Sequence, residues 1–349
     1  MKMSKTMLAA VFEGEGKLAI KQMPIPLVAK TTDVKIKIHA ASICGSDIHV
    51  LSVPPGQIGK PGTIMGHEFY GVVEEIGSDV LAFKPGDTVV VDPIIACGCC
   101  SDCRAGNPNL CLDAVNVGQF RPGGFAEFCV VPQSQAYRIS SDVPAVVAAQ
   151  TEPLACVLNA MMKLNPTPDQ RVVIFGAGAI GLIFIRLMKL WGVKDLVVCE
   201  TLDIRRQHAK RCEAPWVVNP LEVNLADELQ REWGAKADIV IDAVGAGIIT
   251  EQALPLLSCS GKYLIFGQDN HAVAKIHPAE IVRKELTVLG SYCTHNTFSV
   301  AVDLLSNPCL GLDLLVSHKL ELKDIQAGMD AVRDKTASRV IVFPNGTMD

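Results

Sequence analysis

The chain has 349 residues, 49% hydrophobic and 20% charged, so it has enough apolar surface for packed cores and is not a disordered polymer. At roughly 150 residues per domain, that length predicts about two domains. A formal net charge of −5 argues against a basic face for nucleic acid or anionic lipid, and no stretch reaches the ~18 uninterrupted apolar residues of a membrane span.

The N-terminal apolar run ends at Glu13, too short for a secretory signal, so the expectation is a cytoplasmic protein. Residues 1 to about 150 read as β-rich. Residues 33–39 alternate with period two, and 70–76 form a second strand candidate. The turn Lys84-Pro-Gly-Asp87 leads into 88–92, and Pro122-Gly-Gly124 opens a run over 125–131. Many short strands with such turns predict a barrel-like or sandwich module. From Val172 the texture changes. Strands are predicted at 172–175, 196–199, 237–242, 262–266 and 286–290, with helices at 179–192, 204–212 and 249–257. Near-continuous apolar strands alternating with helices predict an α/β fold, a parallel sheet covered on both faces. The tail from about Thr297 begins helical over 298–305 and ends on a strand over 339–343.

Gly176-Ala-Gly178-Ala179-Ile180-Gly181 has the spacing G-x-G-x-x-G, follows a strand and opens a helix, the context a dinucleotide fingerprint requires. The first glycine permits the turn, the second admits a pyrophosphate, and the third lets helix and strand pack closely. The helix N-terminus then faces the phosphates. Glu200 ends the next strand, where a carboxylate accepts ribose hydroxyls and repels a 2′-phosphate, which favours NAD over NADP. Arg205 and Arg206 follow closely and pull the other way. Val244 and Phe266 complete the cofactor-binding candidates.

Thirteen cysteines in a chain without an export signal point away from a disulfide scaffold. Six dispersed ones (Cys129, Cys156, Cys199, Cys212, Cys259, Cys309) read mostly as small buried hydrophobes. Cys97, Cys100, Cys103 and Cys111 fall as C-x2-C-x2-C-x7-C, which suits a closed tetrahedral zinc. Cys99 lies within the same run and leaves the register Cys97-Cys99-Cys103-Cys111 open, as well as an iron–sulfur cluster. A second set is dispersed: Cys44, the pair His67-Glu68, and Glu152. Together they offer the sulfur, nitrogen and oxygen donors of a catalytic zinc with one open position. Taken singly, His67 reads equally as a satisfied polar group and Glu68 as an ordinary acid.

Cys44-Gly-Ser-Asp-Ile-His49, Gly66-His-Glu68, Pro85-Gly-Asp87, Cys97 to Cys111, Gly123-Gly-Phe-Ala-Glu127, Glu152-Pro-Leu-Ala155 and Gly176 to Gly181 occur in this order. The sequence thereby resembles the medium-chain, zinc-containing alcohol dehydrogenase superfamily, and within it the sorbitol (polyol) and threonine dehydrogenase branch. The resemblance implies a GroES-like catalytic domain over 1–153, completed by 297–349, and a Rossmann domain over 154–296, with the active cleft between them. It implies NAD and two zinc ions. Cys44 and His67 would ligate the catalytic zinc together with Glu68 or Glu152, and the four lobe cysteines the structural one. Ser46 would take the substrate hydroxyl proton and His49 pass it towards solvent, which suits an imidazole titrating near neutrality. The assembly implied is a tetramer or dimer.

Val50 and Cys293 stand where sorbitol-type members often place a tyrosine and an arginine that touch polyol hydroxyls. With Leu51, Phe120 and Tyr292 they describe a less polar substrate pocket, suited to a less hydroxylated secondary alcohol or its ketone. A threonine 3-dehydrogenase-like or sugar-phosphate dehydrogenase activity needs a further cation at the substrate. A nucleotide-sensing or structural relative would have lost Cys44, His67 or Glu152, and all three are present.

Overall fold

Period-two alternation governs the first part of the chain. Val34, Ile36 and Ile38 in the strand Asp33–Ser42 point into one core with no exposed surface, and Ala40, past a register shift, is buried in a separate cluster with Ile341 and Phe343. The computed structural model describes residues 5–346; residues 1–4 of the N-terminal run and 347–349 of the predicted tail lie outside the described residues. The chain divides into two compact units: residues 1–155 with 294–308 and 316–349, and residues 156–293 with 309–315.

In the first unit a seven-stranded sheet runs in the order Val316–Glu321, Arg339–Phe343, Asp33–Ser42, Glu68–Ile76, Thr88–Val91, Ala136–Arg138, with Phe128–Pro132 also paired to Asp33–Ser42. Its pairs are antiparallel except Val316–Glu321 with Arg339–Phe343. Ile36, Ile38, Phe69, Val73, Val89, Phe125 and Val340 meet in one core beneath this sheet. A hairpin, Thr6–Gly14 with Lys17–Pro24, buries Met7, Ala9 and Val11 in a smaller cluster with Ile64 and Ala126.

Just past the strand Thr88–Val91, Asp92 accepts the Ile94 backbone N–H and faces the Thr294 hydroxyl, 3.4 Å away. Burial pushes its carboxyl up to about 6, against these two hydrogen bonds, which pull it down. The unfolded value is about 3.9, so the folded state holds the proton more tightly. The sign follows: stability is unaffected below about pH 4, falls as pH rises through 6, and stays reduced above that. Asp92→Asn keeps both hydrogen bonds and removes the charge. It is expected to stabilise the protein by roughly 2 kcal/mol at pH 7.5 and by nothing at pH 4, as read from urea midpoints at the two pH values.

In the second unit six parallel strands run in the order Trp216–Val218, Leu196–Cys199, Val172–Phe175, Ala237–Asp242, Leu257–Ile265, Thr287–Gly290. That is the doubly wound dinucleotide-binding order, reversing direction beside the first strand. The strands at 172–175, 196–199 and 237–242 and the helix at 298–305 fall where the sequence places them. The helix predicted over 179–192 closes at Leu190, and that over 249–257 begins at Gly247. Both the β-rich module and the covered parallel sheet are therefore present. The expectation of buried dispersed cysteines needs one correction: Cys129, Cys156, Cys199 and Cys212 are buried, but Cys259 and Cys309 are exposed. Among the described residues no single helix is long and apolar enough to cross a membrane.

Candidate active site

Cys44 leaves the central strand in an extended conformation and starts the short helix Gly45–Val50. Asp47, in the first turn and fully buried, fixes that start: one carboxylate oxygen accepts the Cys44 backbone N–H at 2.9 Å. Its other oxygen lies 3.5 Å from His67 Nδ1. The opposite ring nitrogen, Nε2, lies 3.3 Å from Ser46 Oγ. Glu68 follows His67 and opens the strand Glu68–Ile76, whose pairing with Asp33–Ser42 carries it beside the end of the neighbouring strand at Ser42.

Ligand atoms of Cys44, His67 and Glu68 thus lie within 4.8 Å of one another. His67 Nδ1 and both Glu68 carboxylate oxygens are buried without a hydrogen bond. Glu68 Oε2 does face Arg339 Nη2 at 3.1 Å, with both side chains almost wholly buried, but off the hydrogen-bonding direction. Burial and the Glu68 carboxylate push the Cys44 thiol up. Burial pulls His67 down, yet Asp47 and Cys44 together outweigh it and hold the imidazole well above its usual value. A thiol, an imidazole and a carboxylate converging in a buried space fit a divalent cation, which would displace the protons and give the orphaned Glu68 carboxylate a partner. Asp47, behind His67, is placed to orient the imidazole of a metal ligand.

Neither Asp47 nor Arg339 was singled out in the sequence. Asp47 stood inside the Cys-Gly-Ser-Asp segment. Arg339 was detectable only as the single charge heading an otherwise apolar strand. Glu152 lies in the first turn of the helix Thr151–Leu164, half-buried and outside the Cys44 group. His49 ends the short helix. Its carbonyl accepts the backbone N–H groups of Gly56 and Gln57, and its ring packs beside Gly56.

A second group closes on the lobe. Sulfur atoms of Cys97, Cys100, Cys103 and Cys111 lie within 4.8 Å of one another, with Cys99 outside the set although its sulfur is 3.7 Å from that of Cys97. Backbone N–H groups point at these sulfurs, Cys97 at Cys111 and Cys100 at Cys97, both at 3.3 Å. N–H groups of Cys99 and Cys100 hold the Cys97 thiol down at about 6, while burial and Cys100 push Cys103 up to about 12. Four thiolates this close need a cation to coexist, and the donor set fits one closed tetrahedral zinc.

In the second unit Gly176 has φ +96°, a conformation only glycine adopts without strain. Gly178 precedes the helix Ala179–Leu190, so Ala179, Ile180 and Gly181 form its first turn. A side chain on Gly181 would strike the Gly176 carbonyl. Glu200 is buried, and its carboxylate accepts the backbone N–H groups of Ala177 and Leu202, each at 2.9 Å. Arg205 approaches Gly178, whereas Arg206 turns away to the Glu200 and Thr201 carbonyls. Val244 touches Gly176, and Phe266 packs edge-on against Phe184. These groups fit a dinucleotide: a glycine loop open at Gly178, a helix N-terminus and a braced carboxylate.

Of the pocket candidates, Val50 and Leu51 lie in the first unit's core, 2% and 6% exposed, whereas Phe120 is 39% exposed. Tyr292 is half-exposed in the second unit and adjoins Cys293, whose backbone is left-handed at φ +51°.

Two family models match the chain. The alcohol dehydrogenase GroES-like domain matches residues 30–141, and the zinc-binding dehydrogenase model matches residues 179–307. The chain is 33% identical to D-altritol 5-dehydrogenase of Agrobacterium fabrum over 324 residues, 91% of this chain and 94% of that one. Among solved structures, a zinc-binding dehydrogenase from Sinorhizobium meliloti 1021 bound to NADP superposes with a TM-score of 0.92 at 30% identity, covering 97% of this chain and 100% of that one. The 2R,3R-butanediol dehydrogenase of Bacillus subtilis gives 0.90 at 29% identity, with the same coverage of each chain.

Proposed function

The chain belongs to the zinc-containing medium-chain alcohol dehydrogenase superfamily, and from that premise we propose that it transfers hydride between NAD(H) and a small, weakly hydroxylated secondary alcohol or its ketone. The observation that carries the reading is the convergence of Cys44, His67 and Glu68 in one chain with a glycine loop braced by Glu200. Zinc held by Cys44, His67 and Glu68 supplies Lewis acidity to the substrate oxygen. The chain's own groups do the rest. Asp47 fixes the His67 ring through Nδ1. Ser46 Oγ, beside His67, takes the substrate hydroxyl proton, and the His49 imidazole carries it onward. Gly176, Gly178 and Gly181 admit the pyrophosphate to the helix N-terminus. The domain roles follow: the first unit binds the metal and substrate, the second the coenzyme.

The preference for NAD rests on Glu200. Both its oxygens accept backbone N–H groups, so the carboxylate is held in place and cannot swing away from a 2′-phosphate. Arg205 alone offers the compensating charge. The substrate assignment rests on Val50 and Cys293 standing where sorbitol-type members often place a tyrosine and an arginine, which leaves additional hydroxyls without those polar partners. D-Altritol is the substrate named for one relative and 2R,3R-butanediol for another, and the second is the closer kind to this pocket. The test is NADH absorbance with secondary alcohols and ketones graded by hydroxyl number, run with NAD+ and NADP+ in parallel. Turnover with butanediol-like alcohols and NAD+ is expected, and Glu200→Gln should narrow the NAD+ over NADP+ preference about tenfold. A wild type that prefers NADP+, or that favours polyols of five or six hydroxyls, overturns these assignments.

A further inference from the structure

Asp242 ends the strand Ala237–Asp242 and is buried, yet neither the metal sites nor the glycine loop uses it. One of its carboxylate oxygens accepts two backbone N–H groups, those of Val244 and Gly245, both at 2.8 Å. Its own carbonyl accepts two more from the next turn, Phe266 at 3.0 Å and Gly267 at 2.9 Å. The second carboxylate oxygen faces the hydroxyl of the buried Tyr263 at 3.5 Å, and Thr250 holds that hydroxyl at 2.9 Å. The two turns are pressed together: a side chain on Gly267 would strike the Val244–Gly245 backbone, and one on Gly245 would meet Gln268 N at 2.6 Å. The Val244 side chain in turn abuts Gly176, the first glycine of the phosphate loop.

A single residue therefore sets the two strand-end turns that carry Val244 and Phe266, and through Val244 it sets the glycine loop. We propose that Asp242 is a positioning residue for the coenzyme: it holds the floor on which NAD(H) lies without touching the reacting atoms. This rests on the reading of the second unit as the NAD(H) site. A strand-end carboxylate gathering successive N–H groups is a rigid device, because each amide it releases is left buried and unpaired. The facing oxygen meets the Tyr263 hydroxyl, which Thr250 holds in turn. Asn in its place keeps an oxygen for Val244 and Gly245 and offers its amide to Tyr263, whereas Ala keeps neither.

The experiment uses the full-length zinc-loaded enzyme and titrates NADH by fluorescence, with steady-state kinetics alongside. Asp242→Ala is expected to raise the NADH dissociation constant and the KM for NAD+ about tenfold or more while changing kcat much less. Asp242→Asn should restore both to within about threefold of wild type. Thermal melting separates loss of fold from loss of position: an Asp242→Ala protein that does not fold leaves the Asn variant and Thr250→Val, which loosens Tyr263 alone, to be compared for KM against kcat. NADH binding by Asp242→Ala equal to wild type overturns the proposal and leaves the coenzyme site standing. Equal losses in kcat and KM from all variants also overturn it. Failure of the wild type itself to bind NADH refutes the underlying reading instead.

Discussion

Cys44→Ser is expected to reduce turnover about a thousandfold and to lower bound zinc from two ions per chain to one, with little change in melting temperature. Serine matches cysteine in shape but not in chemistry. Its hydroxyl does not ionise near neutrality, so the Cys44, His67 and Glu68 group loses its one soft anionic donor. The fold does not depend on that sulfur: Asp47 holds the local turn through the Cys44 backbone N–H, which serine retains. Cys100→Ser provides the contrast. The lobe over 97–111 has two short strands, Ile94–Ile95 against Val115–Asn116, at its base and little core of its own. Losing one of four ligands there should release the other zinc and lower stability, with activity falling only as the fold does. Metal content by emission spectroscopy, melting temperature and kcat, measured on both variants, decide the matter. A Cys100→Ser protein that stays stable but is inactive would mean that the two sites have been assigned the wrong way round.

The legibility of the molecule in its sequence follows from the range of the forces involved. Val172–Phe175 and Leu196–Cys199 are short, wholly apolar and bounded by turns, so their burial on both faces can be read directly. The helix Thr151–Leu164 is not predicted; Pro153 stands in its first turn, where a proline blocks no required hydrogen bond. The strand Lys17–Pro24 is missed because most of its residues are exposed and, among the described residues, it pairs with its hairpin partner alone. The helix Ile325–Arg333 is missed for a different reason. Gly328 interrupts its apolar stripe, and only the packed structure shows that Ile43, Val340 and Leu320 fill the space where a side chain would stand.

The same distinction separates the two metal groups. Four cysteines within fifteen residues announce themselves by spacing, and the lobe gathers Cys100, not Cys99, with the other three. Cys44 and His67 are brought together by the pairing of Asp33–Ser42 with Glu68–Ile76, and in the sequence they stand out through family resemblance. Asp47 and Arg339 act by tertiary contact on residues far away in sequence, which no local pattern records.

Arg339→Met is expected to destabilise the metal-free protein by about 3 kcal/mol, the cost of leaving a buried carboxylate without its counter-charge. Arg339 and Glu68 are 2% and 0% exposed as side chains, so water cannot take over the role of the guanidinium. Methionine fills a similar length and is apolar, so the loss is not one of packing. Arg339 also donates to the Ile43 carbonyl at 3.4 Å, next to Cys44, and its removal loosens the strand end from which Cys44 departs. Glu68→Gln in the Arg339→Met background removes the stranded charge and should recover most of the loss, a coupling that a double-mutant cycle in urea measures directly. Zinc should recover part of it too, because Glu68 gains a positive partner when the Cys44 group is loaded. The penalty is then larger in the apo protein than in the zinc-loaded one. If Arg339→Met costs the same with and without zinc, Glu68 is not among the groups that share the metal's charge, and Arg339 serves the strand end alone.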